Sequence, residues 1–374
     1  VGAPPRPGAG APTHWRSLPA SAANRIAHSA RRGAITPGSP VVRRARLFAT
    51  ALIATSLLLA GCGGGDDEGE APADEPTPAT AEEPQFWPLT GLKVPTGESA
   101  ARKHPVMVVK IDNSPSSAPQ IGLGSADLVV EELVEGGTTR LATFFYSELP
   151  DTVGPVRSMR ATDIGIVSPV EGAVVTSGAA NVTITRIKDA GIEFFAEGAK
   201  GFYRDDSRSA PYNLFTDLAQ TATLAADKPA RPDDYLPWGE PGDLPQGQPA
   251  RTISASFGNH TTDWVFQGGS YTQVDGYAAE GDEFAADTVL VLRVEVGDAG
   301  YLDPAGNSVP ESKLEGKGDA MIFHNGRLVR GAWSKAGLDA PIELSTKAGP
   351  LTVPAGHTWI ELVPAQNGDV TFGK

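Results

Sequence analysis

Apolar runs separated by short polar turns are densest between residues 106 and 146, and they predict three neighbouring β-strands. Residues 106–113 read VMVVKIDN, an apolar run with a polar end, which is typical of a buried strand. Residues 126–146 hold two more such runs on either side of EGGT at 135–138. Paired glycines supply the positive φ that a two-residue hairpin loop requires. We therefore expect a buried strand followed by a β-hairpin.

The register of this hairpin decides which charged side chains lie together. With the two glycines as the loop, the period of two along a strand places Glu131, Leu133 and Glu135 on the face of Arg140. Such a register sets acids beside an arginine in apolar surroundings, where an unpaired guanidinium is costly. We expect Arg140 to be paired with Glu131 or Glu135.

The remainder of the first half alternates between short strands and short helices. Gly154-Pro155 predicts the start of a helix, because proline suits the first helical position. Together these elements favour an α+β domain. After that helix the pattern predicts a strand at 173–176, a helix at 180–190, a strand at 193–196 and a helix from a Thr216 cap to about residue 226.

From about residue 251 the pattern indicates strands without a long helix. Asn325-Gly326 lies between two apolar runs and is a strong signal for a hairpin turn. We predict an α+β fold, with an N-terminal α+β domain that has a mixed sheet and helices, followed by a mostly β C-terminal domain. The other strands expected in this second domain lie at 252–257, 264–266, 288–296 and 357–363.

Composition divides the chain into six segments. Residues 1–40 are rich in Ala, Pro, Gly and Arg without apolar periodicity, which predicts an unstructured or untranslated extension. Residues 63–84 carry eight acids and no base, as in a solvated, extended tether. Six prolines between 229 and 250 indicate a linker. The segments are the extension 1–40, a signal peptide 41–61, a tether 62–85, the N-terminal domain 86–228, the linker 229–250 and the C-terminal domain 251–374.

The signal for export ends in a lipid-attachment motif. A basic stretch at 43–46 precedes an apolar run at 47–59, which is shorter than the about 20 residues of a membrane-spanning helix. Leu59-Ala60-Gly61-Cys62 follows and resembles the bacterial lipobox, and Cys62 is the single cysteine. The alternatives are a plain signal peptide or an N-terminal membrane anchor. We predict that Cys62 is acylated and that the protein is lipid-anchored on the extracytoplasmic face of the cytoplasmic membrane.

Charge and the motifs that are missing exclude several classes of function. The net charge is −14, and residues 62–374 carry 23 basic against 45 acidic residues. A chain of this charge repels nucleic acid, so no nucleic-acid partner is expected. No GxSxG, HExxH, P-loop or dinucleotide-binding motif occurs, and the four histidines after Cys62 lack metal-ligand spacing. We predict no cofactor and no metal site, and the sequence leaves open whether the protein is an enzyme.

Arg157 and Arg160 are the first candidates for a ligand site. They lie three positions apart at the start of the predicted helix, where positive charge is disfavoured. A phosphate or carboxylate ligand would offset that charge. The acids Glu131, Glu132 and Glu135 would offset it equally well from inside the protein. Both interpretations stay open.

A second charged run lies at 203–208, between aromatic residues. Its alternation of arginine and aspartate fits the wall of a cleft, and fits an ion-paired loop as well. The candidate anion-binding residues from both regions are Arg140, Arg157, Arg160, Arg204 and Arg208.

Polar residues at the end of the first strand suggest a further centre. Asp112 and Asn113 occupy a position where α/β proteins often place functional carboxylates. Asp112 would cap the following turn, or would join Asp127 and Glu131 in binding a hard cation through oxygens. The residues assigned to this polar centre are Asp112, Asn113, Asp127, Glu131, Glu135, Asp205 and Asn213.

Motifs in both halves resemble the YerB-like bacterial lipoproteins. The resemblance covers roughly residues 88–365 and implies a two-domain, membrane-tethered envelope protein. It implies no activity and no catalytic residues, because the family is defined by domains of unknown function. The motifs include IDN at 111–113, VEGG at 134–137, GPVRS at 154–158, YRD at 203–205, APYNL at 210–214, GAWSK at 331–335 and GHTWI at 356–360.

We therefore expect a lipid-anchored extracytoplasmic envelope protein that acts as a binding or scaffolding module. The alternative is an envelope enzyme that binds or transfers a phosphorylated glycan or lipid precursor through its arginines. The expected partners are the membrane, through the lipid anchor, and an envelope glycan, a phosphorylated precursor or a protein. The two functions differ in whether the arginines converge on an open site or are paired in the interior.

Overall fold

Three neighbouring strands form the centre of the fold, and every residue in them is buried. They are β1, Met107–Asn113, β2, Leu128–Leu133, and β3, Thr139–Phe145. Strands that are apolar on both faces need a packed layer on each side. This requirement determines how the remaining elements are arranged.

The computed structural model describes residues 85–374 apart from 226, 228, 229, 304 and 305. The predicted extension 1–40, the signal peptide 41–61, the tether up to residue 84 and the lipidation site Cys62 lie outside the described residues. Within the described part, the predicted elements can be compared with the strands and helices of the structure.

The other strands are mostly short, and the described part of the chain has three α-helices. The helices are α1, Asp163–Val167, α2, Asn181–Asp189, and α3, Leu218–Ala222. The remaining strands are β4 Ala173–Thr176, β5 Phe194–Ala196, β6 Phe202–Arg204, β7 Leu214–Thr216, β8 Trp238–Gly239, β9 Gln248–Pro249, β10 Thr252–Ser256, β11 Thr261–Gln267, β12 Ser270–Val274, β13 Thr288–Val294, β14 Val296–Leu302, β15 Ser308–Ser312, β16 Gly316–His324, β17 Arg327–Lys335, β18 Glu343–Thr346, β19 Gly349–Leu351, β20 Val353–Pro354, β21 Thr358–Pro364 and β22 Asp369–Gly373.

A twelve-stranded sheet runs through both halves of the described chain. Its order is β19-β18-β17-β16-β13-β21-β2-β3-β1-β4-β5, and β9 pairs with β17. Strand β1 is antiparallel to β3 and parallel to β4, so the sheet is mixed. Strand β2 of the first half pairs in parallel with β21 of the second half, with Leu128 opposite Thr358. The predicted α+β fold is confirmed, with a mixed sheet and helices first and mostly strands afterwards.

The two faces of the large sheet are covered by different layers. On one face, Val130 and Phe144 share a core with Ile166 of α1 and Ile187 of α2; we call this the helical face. On the other, Val129 packs in a core with residues of the four-stranded sheet β12-β11-β10-β22; we call this the sandwich face. Successive residues of a central strand therefore contribute to opposite cores.

The Pro-rich stretch at 230–250 packs against the rest of the described chain. Tyr235 is buried, and its hydroxyl donates a hydrogen bond to the carbonyl oxygen of Ile166 at 3.0 Å. The indole of Trp238 donates to the carbonyl oxygen of Pro88 at 2.9 Å. Because the sheet also crosses from one half to the other, the halves share a core. The domain boundaries at 228 and 251 stay a prediction.

The segment from Gly154 to Arg160 is extended, so the predicted helix at Pro155 is wrong. The N–H of Val156 donates to the carbonyl oxygen of Leu214, and the N–H of Arg157 donates to that of Lys110. Pairing with β7 and β1 satisfies the groups that a helix would have used. The following helix is α1, which begins at Asp163.

The predicted helix cap at Thr216 is displaced by one residue. Asp217 is the N-cap of α3, and its side chain accepts a hydrogen bond from the N–H of Gln220.

In the described part of the chain, no helix is long and apolar enough to span a membrane.

Candidate functional site

The hairpin of β2 and β3 has a different register from the predicted one. Residues 134–138 form a five-residue loop, which the N–H of Val134 closes by donating to the carbonyl oxygen of Thr138 at 2.9 Å. Arg140 therefore lies opposite Glu132, while Glu131 lies opposite Leu141. The prediction that Glu131 and Leu133 share the face of Arg140 is wrong. Polar side chains of these strands are sorted onto both faces of the sheet.

Eight charged side chains meet on the helical face, and we call them the charge network. Four are cationic and four are anionic, and all come from a single stretch of 54 residues, 110–163. Most of them are buried. The members are Lys110, Asp112, Glu132, Glu135, Arg140, Arg157, Arg160 and Asp163.

The most deeply buried part of the charge network is a lysine between two acids. The Nζ atom of Lys110 lies 2.6 Å from Glu132 Oε1 and 2.7 Å from Asp163 Oδ1, and all three side chains are fully buried. Burial raises the pKa of Glu132, and the ammonium of Lys110 opposes this rise. The second carboxylate oxygen of Glu132 has no hydrogen-bond partner among the described residues. This triad is a structural ion cluster without access for a ligand.

Arg160 and Arg140 share the carboxylate of Glu135. Arg160 contacts both oxygens of Glu135, with Nε at 2.8 Å from Oε2. Burial lowers the pKa of Arg160. Its hydrogen bond to Glu135 and the negative charge of that carboxylate together outweigh burial, so the net shift of the pKa is upward. Arg140 lies 3.6 Å from Glu135 and donates to the carbonyl oxygen of Ser158 at 2.9 Å. The expected pairing of Arg140 with Glu135 is confirmed, and pairing with Glu131 is wrong.

Arg157 is the exposed end of the charge network. Its Nε donates to Asp112 Oδ2 at 2.9 Å, and 21% of its side chain is exposed. Its guanidinium lies 5.5 Å from the ring centre of Tyr212. Within the described residues, its two terminal nitrogens have no hydrogen-bond partner. Of the three central arginines, only Arg157 is placed to reach a ligand.

The sandwich face carries a second polar centre, which we call the carboxylate pair. Glu131 and Glu361 lie opposite each other on β2 and β21, and both are fully buried. Glu131 accepts hydrogen bonds from Asn113 Nδ2 and Thr262 Oγ1, each at 3.0 Å, and lies 3.1 Å from His260 Nε2. Glu361 accepts from the Trp264 indole at 2.9 Å.

Adjacent carboxyl groups in an apolar interior cannot both be ionised. Burial and the charge of Glu131 raise the pKa of Glu361 well above its ordinary value. Burial also raises the pKa of Glu131, but the hydrogen bond and charge of His260, with further hydrogen bonds that include one from Thr139, together outweigh burial and lower the pKa. Burial lowers the pKa of His260, whereas Glu131 raises it to a greater extent. Glu361 is therefore the member of the pair that holds a proton more readily.

The sequence patterns did not identify the second-half members of this centre. An isolated glutamate in the apolar run WIELV at 359–363 is a usable signal, because Glu131 lies in the similar run LVVEEL at 128–133. His260, Thr262 and Trp264 carry no such signal. Nothing in their own segment indicates that they meet Glu131.

A cleft of about 650 Å³ opens between residues 116–121 and 203–215, and no member of the charge network or of the carboxylate pair lines it. Its walls include the rings of Tyr203, Tyr212 and Phe215. Tyr203 is 42% exposed and is stacked on the buried Phe215, with ring centres 6.1 Å apart and an angle of 25° between the planes. We call this site the aromatic cleft.

The predicted run at 203–208 contributes both charges of the aromatic cleft. Asp205 and Arg208 line it. Arg208 donates to the carbonyl oxygens of Pro119 at 3.0 Å and Ser117 at 2.6 Å, so its terminal nitrogens hold the opposite wall. Arg204 is paired instead with Glu197 and donates to Asn213 Oδ1 at 2.5 Å. The five candidate arginines thus do not converge on one site.

The acids proposed for a cation site are separated by their partners. Asp127 accepts hydrogen bonds from the N–H groups of Tyr146 at 2.6 Å and Ser147 at 2.9 Å. Asp112 is bound to Arg157, and Glu131 belongs to the carboxylate pair. No group of three or more His, Cys, Asp or Glu side chains in the described part is arranged to hold a metal ion.

Comparison with known proteins gives consistent matches to one family. Residues 89–231 match the family described as "Protein of unknown function (DUF3048) N-terminal domain", and residues 252–360 match its C-terminal domain. The chain is 26% identical over 293 residues to "Putative lipoprotein YerB" of Bacillus subtilis (strain 168), covering 74% of this chain and 86% of that protein.

The fold is also similar to a solved structure. The crystal structure of the YerB protein from Bacillus subtilis matches with a TM-score of 0.64 and 21% identity, over 77% of this chain and 99% of that one. At this identity the likeness concerns the fold alone.

Proposed function

The chain belongs to the DUF3048 family, which includes a YerB lipoprotein among its relatives, and from this premise we propose that it is a lipid-anchored binding module of the cell envelope. The expected resemblance to the YerB-like family is confirmed. The proposal goes further in assigning an anchor, a side of the membrane and a ligand site to this chain.

The anchor is supported by sequence and by the name of the relative. Leu59-Ala60-Gly61-Cys62 has the residue types of a lipobox, and the Bacillus protein is named as a lipoprotein. The acidic residues 63–84 would hold the folded part away from an anionic membrane surface. The protein would then face the outside of the cytoplasmic membrane.

The aromatic cleft is the observation that carries the binding function. Its volume of about 650 Å³ falls within the roughly 300–1,000 Å³ that small-molecule sites occupy. It combines exposed rings with a few polar groups, which is the usual composition of a ligand site. Tyr203 is the most accessible of these rings.

The alternative function, an enzyme that holds a phosphate through an arginine cluster, has less support. Arg140 and Arg160 are buried against Glu135. A phosphate could reach them only by displacing that buried carboxylate, which would then be left without a partner. Arg204 and Arg208 are also engaged, with Glu197 and with backbone carbonyl oxygens.

Substitution of the acylated cysteine tests the anchor. Cys62→Ala removes the thiol that accepts the lipid, so uncut precursor should accumulate. Gel mobility and metabolic lipid labelling measure this. Ser56→Ala, a conservative change within the apolar run, is the control and should mature normally. Normal processing and labelling of the Cys62→Ala protein would rule the anchor out.

Sedimentation with isolated cell-wall material tests the cleft. The mature protein should cosediment with the insoluble wall, and Tyr203→Ala should lower the bound fraction by roughly tenfold, as expected for a central aromatic contact. Leu302→Ala removes another exposed apolar side chain outside the cleft and should bind normally. The binding proposal fails if the wild type stays in solution, or if both variants bind as the wild type does.

A further inference from the structure

We propose that the aromatic cleft binds an uncharged segment of an envelope glycan, with a sugar ring stacked on Tyr203. This inference rests on the proposed binding function and names the class of ligand. It is carried by three features of the cleft: the position of its rings, the state of its charges and the hydroxyl groups around it.

The ring of Tyr203 is presented as a flat apolar surface. Phe215 is only 3% exposed and stacks against Tyr203 on the protein side. The Tyr203 hydroxyl lies 3.2 Å from Thr152 Oγ1, which fixes the ring further. An ordered ring loses little conformational entropy when a ligand stacks on it. The C–H face of a pyranose ring is a suitable partner for such a surface, because it is apolar while the ring edge is polar.

The cleft is lined by one cationic and one anionic side chain, Arg208 and Asp205, and each already has hydrogen-bond partners within the protein. Both terminal nitrogens of Arg208 donate hydrogen bonds to backbone carbonyl oxygens, one to that of Pro119 and one to that of Ser117. Asp205 accepts two hydrogen bonds from Ser207 through Oδ1. Arg157 lies against the ring of Tyr212 but does not line the cleft, and its Nε atom is paired with Asp112. A phosphate ligand needs cationic donors that have no other hydrogen-bond partner, so the cleft favours a neutral ligand.

Hydroxyl groups surround the exposed ring. Serine and threonine hydroxyls both donate and accept hydrogen bonds, as sugar hydroxyls do, so each can match either polarity of the ligand. The Oδ2 atom of Asp205, which accepts no hydrogen bond from the described residues, adds an acceptor for a pair of neighbouring sugar hydroxyls. The hydroxyl side chains that line the cleft are those of Ser116, Thr152, Ser207 and Ser209, together with Tyr203 and Tyr212.

Calorimetric titration of the mature protein in detergent micelles tests the ligand class. The probe is the uncharged β-1,4-linked trimer of N-acetylglucosamine, and saturable binding is expected. Tyr203→Ala should weaken the dissociation constant by roughly tenfold or more. Tyr203→Phe keeps the ring but loses the contact with Thr152, so a loss of roughly two- to threefold is expected. Leu302→Ala is the control, and the thermal unfolding of each variant shows whether it is folded.

Three results would overturn the inference while leaving the binding function intact. One is Tyr203-dependent binding to wall material without binding to the trimer. The second is displacement of the bound trimer by inorganic phosphate, which would indicate an anion site. The third is tighter Tyr203-dependent binding of a proline-rich peptide than of the trimer. Absence of binding to wall material and trimer alike would instead remove the proposed function.

Discussion

The charge network and the carboxylate pair lie on opposite faces of the same strands, yet they are built differently. The network contains four cations and four anions from residues 110–163. The carboxylate pair contains two acids and one histidine, and joins residues that are 131 and 97 positions apart. One centre is balanced by ion pairing, and the other by keeping one acid protonated.

The difference shows what each centre contributes. The network is local, so it fixes β1, β2 and β3 relative to the segment 157–163. The carboxylate pair is non-local, so it fastens β11 and β21 of the second half onto β2. A buried charge with a partner is tolerated, whereas removal of the partner is strongly destabilising. The comparison can therefore be tested by removing one partner at a time.

The largest effect is expected from Lys110→Met, which breaks the charge network at its centre. Glu132 and Asp163 would be left as buried acids without a cation, at a cost of roughly 3–5 kcal/mol in the free energy of unfolding. Urea denaturation measures this. Arg157→Met is the matched control and should cost about 1 kcal/mol or less, because Arg157 is partly exposed. Equal losses from the two variants would show that burial does not govern the network.

A smaller effect is expected from Glu131→Gln, which changes the ionised member of the carboxylate pair. Asn113, Thr262 and His260 all direct hydrogen-bond donors at this carboxylate, and an amide group cannot accept from all of them. We expect a loss of roughly 2–3 kcal/mol in the free energy of unfolding. Glu361→Gln is the matched control, because burial and the charge of Glu131 favour the neutral form of Glu361. If both variants lose the same stability, the two acids are equivalent and the assigned protonation states are wrong.

The smallest effect concerns pH. The folded pKa values of His260 and Glu361 are raised above 6.5 and 4.5, so their stabilisation is present below those values and is lost as the pH rises through the folded pKa. Glu131 has a lowered pKa, so its contribution is present above 4.5 and is lost as the pH falls. Glu131 and His260 together favour the folded state most between about pH 4.5 and 6.5, whereas the contribution of Glu361 declines as the pH rises above 4.5.

Glu361→Gln should therefore reduce the loss of stability between about pH 6 and pH 8, by an amount on the order of 1 kcal/mol. Urea denaturation at the two pH values measures the difference, with the wild type as reference. Leu302→Ala, which lies outside the pair, should keep the pH dependence of the wild type. An unchanged slope in the Glu361→Gln protein would show that Glu361 is already ionised in the folded state throughout this range, and would contradict its raised pKa.

The sequence predicted local features better than distant ones. The buried strand at 106–113 and the Asn325-Gly326 hairpin follow from patterns within about ten residues, and both are present. The register of the first hairpin was wrong because paired glycines predict a two-residue loop, whereas five residues form it. Pro155 suits a helix start and an extended segment equally, and only its neighbours β1 and β7 decide between them.

The candidate sites were likewise predicted better where their residues lie close together in the sequence. Arg140 and Glu135 lie close in sequence, and their pairing was predicted. The run at 203–208 suggested a cleft wall, and the structure places Tyr203, Asp205 and Arg208 there. The meeting of Glu131 with Glu361 depends on the parallel pairing of β2 and β21, which no local pattern encodes.

That parallel pairing also sets an order of events during synthesis. Strand β2 has β3 on one side, but its other neighbour, β21, begins at residue 358. A ribosome delivers the chain from its N-terminus, so β2 remains an unpaired apolar edge until most of the chain has followed. Exposed edges of this kind are open to wrong partners, and long-range strand pairing is slow. The sheet of the first half is therefore completed only when the last residues of the chain have arrived.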